Sequence, residues 1–349
     1  MRLMTLASTL AGLTLTACAT TPPVVMLPAT DVPARVETDP VDTAAVDAAD
    51  DPAIWRNPAD PARSLIVGTD KRAGIHVYDL AGRSTSFVAA GEINNVDLRD
   101  GVMVNGRRTI LVGASNRNSL TDPHVTLLTL DGATGALTQI ADVGVGAAGE
   151  AYGFCFGQDQ SNYLHAYLVT KQGRVLDIAL DVSGPTPTAR LVRSFGVATQ
   201  PEGCVVDDRT DQLYLGEEDV GIWRFDLTTA QPAAIEFARV GAEDGLVMDV
   251  EGLALAPAGE AGGLLVASRQ GDNAYAIVDL ATGTLRGRFR INGGSIDGTS
   301  DTDGIELALG DFGPQFPGGL FVAQDGNNLP HAQNFKYLSW AEVRAALGF

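Results

Sequence analysis

Apolar and polar residues alternate along most of this chain in short runs. "IHVYDL" at residues 75–80 and "IWRFDL" at 222–227 keep a period of two, which predicts strands rather than helices. A longer unit recurs around these runs: an apolar strand, a polar loop, then an alternating strand. It reads "SLIVGTDKRAGIHVYDL" from Ser64 and "TILVGASNRNSLTDPHVTLLTLD" from Thr109. It returns as "HAYLVTKQGRVLDIALD" from His165, "QLYLGEEDVGIWRFDL" from Gln212 and "GLLVASRQGDNAYAIVDL" from Gly263. "GLFVAQDGNN" from Gly319 opens a sixth copy. The copies begin roughly 45 to 56 residues apart, and only the C-terminal "WAEVRAALGF" reads as helix. Six such units predict an all-β, six-bladed β-propeller, with a two-sheet sandwich as the alternative. The first strand of each copy is expected to line the central channel. The polar residues that follow it then converge on one face: Lys71, Arg72, Arg117, Lys171, Glu217, Glu218, Gln270 and Asp325. An N-terminal strand near residues 36–43 is the candidate for closing the ring.

Composition adds a surface and a compartment. The chain has 349 residues, 45% of them apolar, with 40 glycines, 17 prolines and a formal net charge of −19. Such a charge repels nucleic acid and anionic lipid. It marks either a soluble exported protein or a set of carboxylates that hold cations. Arg2 and the apolar run 3–15 form a targeting segment too short to span a membrane comfortably. "LTAC", ending at Cys18, resembles the lipobox of bacterial lipoproteins. Residues 1–18 are therefore expected to be a lipoprotein signal peptide, 19–36 a Pro-rich tether, and 37–349 the propeller. Ala19 after Cys18 points to the outer membrane of the cell envelope; a secreted or periplasmic protein is the alternative. Membrane contact would run only through the lipid, and the protein would be a monomer. Cys155 and Cys204 either pair or stay as buried free thiols, and their strand-like flanks favour the thiols.

The candidate chemistry narrows by elimination. There is no Gly-x-Ser-x-Gly elbow, no His-Glu-x-x-His, no Cys-x5-Arg and no phosphate-binding P-loop. Oxygen ligands remain, and these suit a hard cation such as calcium. Carboxylates cluster in "DAADDPAIW" at 47–55, "PEGC" at 201–204, "DVEGL" at 249–253 and "SIDGTSDTDGIE" at 295–306. The last has the Asp-x-Asp-Gly core of an EF-hand. In that frame position twelve is Gly310, not glutamate, so an EF-hand is excluded. Each cluster alone could be a run of self-capping turns. Asp249 and Glu251, read as neighbours on one face of a strand, tilt the balance toward metal.

"DAADDPAIW" and "NNVDLRD" (94–100) resemble signature segments of the β-propeller phytases, calcium-dependent alkaline phytases of bacteria. The resemblance runs through "ASNR", "YGF", "EEDVGIW", "DGTSDTDGI" and "GLFVAQDGNN", from about residue 37 to 349. It implies a six-bladed propeller and a phosphoric monoester hydrolase of the 3-phytase type. The implied substrate is phytate (inositol hexakisphosphate), cleaved to lower inositol phosphates with several Ca2+ ions bound. By position it implies calcium ligands at Glu37, Asp51, Glu202, Asp249, Glu251, Gln270, Asp297 and Asp303. It places Lys71, Arg72, Arg117, Tyr152, Lys171 and Glu218 against substrate phosphates, with Lys71, Tyr152, Glu202 and Glu218 nearest the chemistry. Arg72 stands where the family has a second lysine, Gln172 where some members have glutamate, and Arg269 and Asp272 flank Gln270 where small neutral residues are common. The lack of a suitable nucleophilic histidine or cysteine leads us to expect direct in-line attack of metal-bound water on phosphorus, without a covalent intermediate. A calcium-dependent propeller lactonase and a non-catalytic anion- or glycan-binding lipoprotein are the rival readings.

Overall fold

In the computed structural model the described residues are 28–44, 47–241 and 246–349. They form six sheets, in each of which consecutive strands pair antiparallel in sequence order, with one N-terminal strand added to each of two sheets. Blade 1 comprises Ala49–Trp55, Leu65–Asp70, Gly74–Asp79 and Ser84–Ala89. Blade 2 comprises Ile93–Val104, Arg107–Asn116, His124–Leu130 and Leu137–Gly144. Blade 3 comprises Ala151–Gln158, Leu164–Thr170, Arg174–Asp181 and Thr188–Gly196. Blade 4 comprises Pro201–Asp207, Gln212–Glu217, Gly221–Asp226 and Ile235–Arg239. Blade 5 comprises Val250–Ala258, Gly262–Arg269, Ala274–Asp279 and Leu285–Ile291. Blade 6 comprises Ile305–Leu309, Gly319–Asp325 and Asn334–Ser339. The first strand of each blade packs against the first strands of both neighbours, closing a ring. The chain is thus a six-bladed propeller, as the repeat predicts.

The recurring sequence unit, however, begins at the second strand of each blade, not the first. The second strands, such as Leu65–Asp70, are buried between neighbouring sheets and carry the strongest apolar signal. The innermost strands interrupt their apolar pattern with polar residues, so the periodicity passes over them. The loops after the second strands still open where the innermost strands begin, because adjacent strands run antiparallel. Lys71, Arg117, Lys171, Glu218 and Gln270 therefore converge on one mouth, with Arg72 at its rim, whereas Glu217 and Asp325 are the buried last residues of their strands: Glu217 accepts from Thr199 and Trp223, and Asp325 faces Lys336.

Two short N-terminal strands complete the ring. Val36–Glu37 adds to blade 6 beside Asn334–Ser339, within the stretch expected to close it. Thr30–Val32 adds in parallel to the outer strand of blade 5, pairing Val32 with Ile291. These residues fall inside the segment expected to be tether, so the folded body begins earlier than residue 37. Val32 explains the difference: it is 2% exposed and packs with Phe289 and Ile291. The helix Trp340–Leu347 covers the same cluster through Trp340 and Val343. Cys18 and the signal peptide lie outside the described residues.

Side-chain alternation builds the packing between blades. Ile75 and Val77 join a cluster with Val112 and Leu128 of blade 2, whereas Tyr78 turns the other way onto Phe335 and Tyr337 of blade 6. The second and third strands are buried on both faces, whereas outer strands such as Ser84–Ala89 and Thr188–Gly196 keep one face exposed. Cys155 and Cys204 are joined as a disulfide between the innermost strands of blades 3 and 4, which corrects the expectation of free thiols. Their strand flanks do look like core; the two strands meet edge to edge at the ring's centre and bring the sulfurs together. The bridge spans a sequence separation of 49, which by loop-closure entropy contributes about 4 kcal/mol. Cys155→Ala with Cys204→Ala is expected to lower the thermal midpoint by several degrees in calorimetry. A midpoint equal to the parent's would show that the bridge carries no stability.

Candidate active site

The mouth is built from one local irregularity repeated around the ring. On the innermost strand, pairing to the second strand slips between Ala49 and Pro52, Ile93 and Val96, Ala151 and Phe154, Pro201 and Cys204, and Val250 and Leu253. Each slip is a β-bulge, which frees two residues from the ladder and re-aims their side chains. The first bulge residues are Asp50, Asn94, Tyr152, Glu202 and Glu251. Asp303, just before Ile305–Leu309, holds the same place in blade 6. These six form an inner ring.

The second bulge residue is glycine in several blades, for a steric reason. A Cβ on Gly153 would collide with the Glu202 carbonyl oxygen, and one on Gly203 with the Glu251 carbonyl oxygen. Glycine therefore lets each blade press against the next just where the functional side chains stand.

An outer ring follows from the residue immediately after each second strand: Lys71, Arg117, Lys171, Glu218, Gln270 and Gly326. Their backbone N–H groups donate to carbonyls just before the inner-ring residues. The bonds are Lys71 to Ala48 (2.7 Å), Arg117 to Glu92 (2.9 Å), Lys171 to Glu150 (3.2 Å), Glu218 to Gln200 (3.1 Å), Gln270 to Asp249 (3.0 Å) and Gly326 to Ser300 (2.8 Å). One main-chain clasp per blade thus holds both rings in register.

Charge divides the mouth into halves. Blades 1 to 3 supply Lys71, Arg117 and Lys171, and blades 4 to 6 supply Glu202, Glu218, Glu251 and Asp303. At one seam the Lys71 ammonium meets Asp47 (2.5 Å), Asp50 (2.8 Å) and Asp303 (3.2 Å). Burial works against its charge, but Asp50, Asp303, Glu202 and Asp47 outweigh burial and hold its pKa above the usual value. At the other seam Tyr152 lies against Glu202. Burial, then the charges of Glu202 and Glu251, raise the phenol's pKa, so it stays a donor. The Lys171 ammonium sits over the Tyr152 ring, 4.5 Å from its centre, and Arg117 flanks that ring at 6.0 Å. Glu150 steadies both cations, accepting from Arg117 at 2.8 Å and lying 3.7 Å from Lys171. Arg117 also donates to Asn94 (2.7 Å), which donates to Glu202 (2.8 Å).

The acidic half can take a cation. Carboxylate oxygens of Glu202, Glu218 and Glu251 all lie within 4.8 Å of one another. Burial, then neighbouring charge, pushes Glu202 up to about 7 and raises Glu251. Glu218 is raised by burial against the hydrogen bond from Gln200. Gln270 donates to Asp303 (2.5 Å). Glu251 Oε2 and Asp50 Oδ2 are buried without a hydrogen-bond partner. Buried unpartnered oxygens beside like charges, with no donor of nitrogen or sulfur among them, fit a hard divalent ion.

The other expected ligands fall elsewhere. Glu37 and Asp297 gather around the buried Lys336, at 2.7 and 2.6 Å, with Asp325 at 3.3 Å. There too Asp325 Oδ2 and Asn334 Oδ1 are buried without a hydrogen-bond partner. Asp51 is the second bulge residue of blade 1 and does not point into the inner ring. Its carboxylate accepts from the Val96 N–H (3.0 Å) and lines the channel below the mouth. Asp50, unnamed among the expected ligands, holds the ring position instead. Asp249 precedes its strand in a left-handed turn (φ 59°), so alternation does not align it with Glu251. Arg72 is exposed at the rim, 3.6 Å from Asp47. Sequence reasoning also missed Asn94 and Glu150. The signal that finds the ring is the aligned run Tyr152-Gly153, Glu202-Gly203, Glu251-Gly252 and Asp303-Gly304.

Two comparisons bear on these rings. The phytase family model matches residues 1–349. A 3-phytase of Bacillus subtilis (strain 168) is 38% identical over 329 residues, which cover 91% of this chain and 85% of that protein.

Proposed function

The chain belongs to the phytase family and hydrolyses phosphomonoesters of phytate, and from that premise we propose that the divided mouth shares each substrate phosphate between bound calcium and fixed protein cations. The observation that carries this reading is the division itself: Glu202, Glu218 and Glu251 cluster in blades 4 and 5 with an unpartnered Glu251 oxygen, while Lys71, Arg117 and Lys171 come from blades 1 to 3. Family membership sets aside the lactonase and the non-catalytic binder.

Phytate and this protein are both strongly anionic, so unassisted encounter is repulsive. Glu202, Glu218, Glu251, Asp303 and Asp50 would hold calcium at the mouth, and Glu37, Asp297 and Asp325 are the residues for a further ion. Calcium, when bound, neutralises these carboxylates, engages phosphate oxygens and acidifies water. The protein's own groups do the rest. Lys71 stays an ammonium because four carboxylates surround it, and it meets charge that grows on the phosphoryl oxygens. Tyr152 keeps its proton and donates a hydrogen bond to the same group. Arg117 and Lys171, braced by Glu150 and the Tyr152 ring, grip a neighbouring phosphate and fix register. Arg72 at the rim offers a second fork to the polyanion. Gln270 and Asn94 orient Asp303 and Glu202.

Neither ring carries histidine, cysteine or serine, which favours direct in-line displacement by water. Hydrolysis of a phosphate ester made chiral with oxygen isotopes is expected to invert configuration at phosphorus. Retention would instead require a covalent phosphoenzyme.

We also propose that the protein is a monomer, tethered through a lipid on Cys18 to the outer membrane. Metabolic labelling with a fatty-acid probe, lost in Cys18→Ser, is the expected result.

A further inference from the structure

We infer that the Cys155–Cys204 disulfide is a positioning group for the mouth, setting the separation of the two strands that carry Tyr152 and Glu202. This rests on the proposed roles of those two residues. The strands Ala151–Gln158 and Pro201–Asp207 belong to different sheets and share no ladder. Tyr152 and Glu202 are first bulge residues, so neither is pinned by pairing to its own second strand. Ordered pairing resumes just below them, at Phe154 opposite Leu168 and Cys204 opposite Leu215. The two half-cystines stand there, Cys155 three residues beyond Tyr152 and Cys204 two beyond Glu202, both lining the channel beneath the mouth.

Other blade junctions are tied at this level by hydrogen bonds. Val96 N–H donates to Asp51 between blades 1 and 2. Phe156 N–H donates to Asp97 between blades 2 and 3. Gly252 N–H donates to the Asp303 carbonyl between blades 5 and 6, and Gly304 N–H to the Asp50 carbonyl between blades 6 and 1. Between blades 3 and 4 the Gln158 N–H donates to Asp208 at the far end of the two strands, and the covalent bridge ties them nearer the mouth. It lies where the cationic half ends at Tyr152 and the acidic half begins at Glu202. A small opening of this junction would separate the phenol from the carboxylate and move one wall of the cation cluster.

The test compares the parent with Cys155→Ala/Cys204→Ala at a temperature where circular dichroism shows both folded. The variant is expected to lose about tenfold in kcat. Its half-saturating calcium concentration should rise severalfold, with KM for phytate changed less than about twofold. A bridge that only stabilises would lower the melting midpoint and leave kcat and calcium half-saturation at the parent's values; that result overturns the inference. Should the variant not fold, the folded parent is reduced with a water-soluble phosphine, which supplies two electrons to the bridge and takes the oxygen of a water molecule to become its oxide, while that water's two protons go to the thiolates. With both thiols counted, the same loss of kcat is expected, and reoxidation by a small-molecule disulfide, itself reduced to two thiols, should restore it; an unchanged rate overturns the inference. A parent whose phytate turnover ignores chelation would instead overturn the calcium reading.

Discussion

Lys71→Met is expected to lower kcat for phytate about a thousandfold while the propeller stays folded. Lys71 is 9% exposed and its ammonium meets Asp47, Asp50 and Asp303 at one seam, where the exposed Arg72 approaches only Asp47. Methionine keeps the apolar stem but removes the charge, leaving those carboxylates facing one another and the phosphoryl oxygens with the neutral Tyr152 donor but no ammonium. Removing one partner of a buried charged set costs about 3–5 kcal/mol. A tight calcium supply cannot restore a hydrogen bond aimed from this position. Lys71→Arg is expected to recover part of the rate, since charge returns with a different reach. Steady-state phosphate release, with circular dichroism as the control for folding, checks both. A methionine variant within a few-fold of the parent would remove Lys71 from the chemistry.

The second large effect couples calcium to pH. Burial lifts Glu202 to about 7 and raises Glu251 and Asp303, so the calcium-free fold prefers these groups protonated. Unfolded, Glu202 returns to about 4.5. Between those values the native state binds more protons than the unfolded chain, so stability falls as pH rises. The destabilisation is absent below the ordinary carboxylate range and fully present above the raised native values. Bound calcium replaces those protons. The chelated protein is therefore expected to melt progressively lower from pH 5 to pH 8, and calcium to raise the midpoint far more at pH 8 than at pH 5. Differential scanning calorimetry at the two pH values decides it; a calcium effect independent of pH would mean that the ion binds away from these carboxylates.

Much of this was legible in the residues. Second and third strands are buried on both faces, so "LIVGTD" and "IHVYDL" announce themselves, and six copies count the blades. Lys71, Arg117 and Lys171 follow those strands directly and were placed correctly at the mouth. The inner ring was harder. A bulge breaks the period of two just where Asp50, Tyr152 and Glu202 stand, so alternation does not show that Asp50 enters the inner ring while Asp51 accepts from Val96 N–H beside it. Asp249 looked like a strand residue because a left-handed turn leaves no hydrophobic trace. The Cys155–Cys204 pairing depends on two strands 49 residues apart meeting at the ring's centre, which local sequence does not encode. Val32 joined the tether because three residues of strand are too short to show periodicity.

Residues 28–349 retain both N-terminal strands and omit the lipid signal. Phosphate release from phytate by this fragment, titrated with calcium from a chelated start, tests the divided mouth most directly. No release in chelator and a saturable rise with added calcium is the expected result. Full-rate release with every divalent ion sequestered would contradict it.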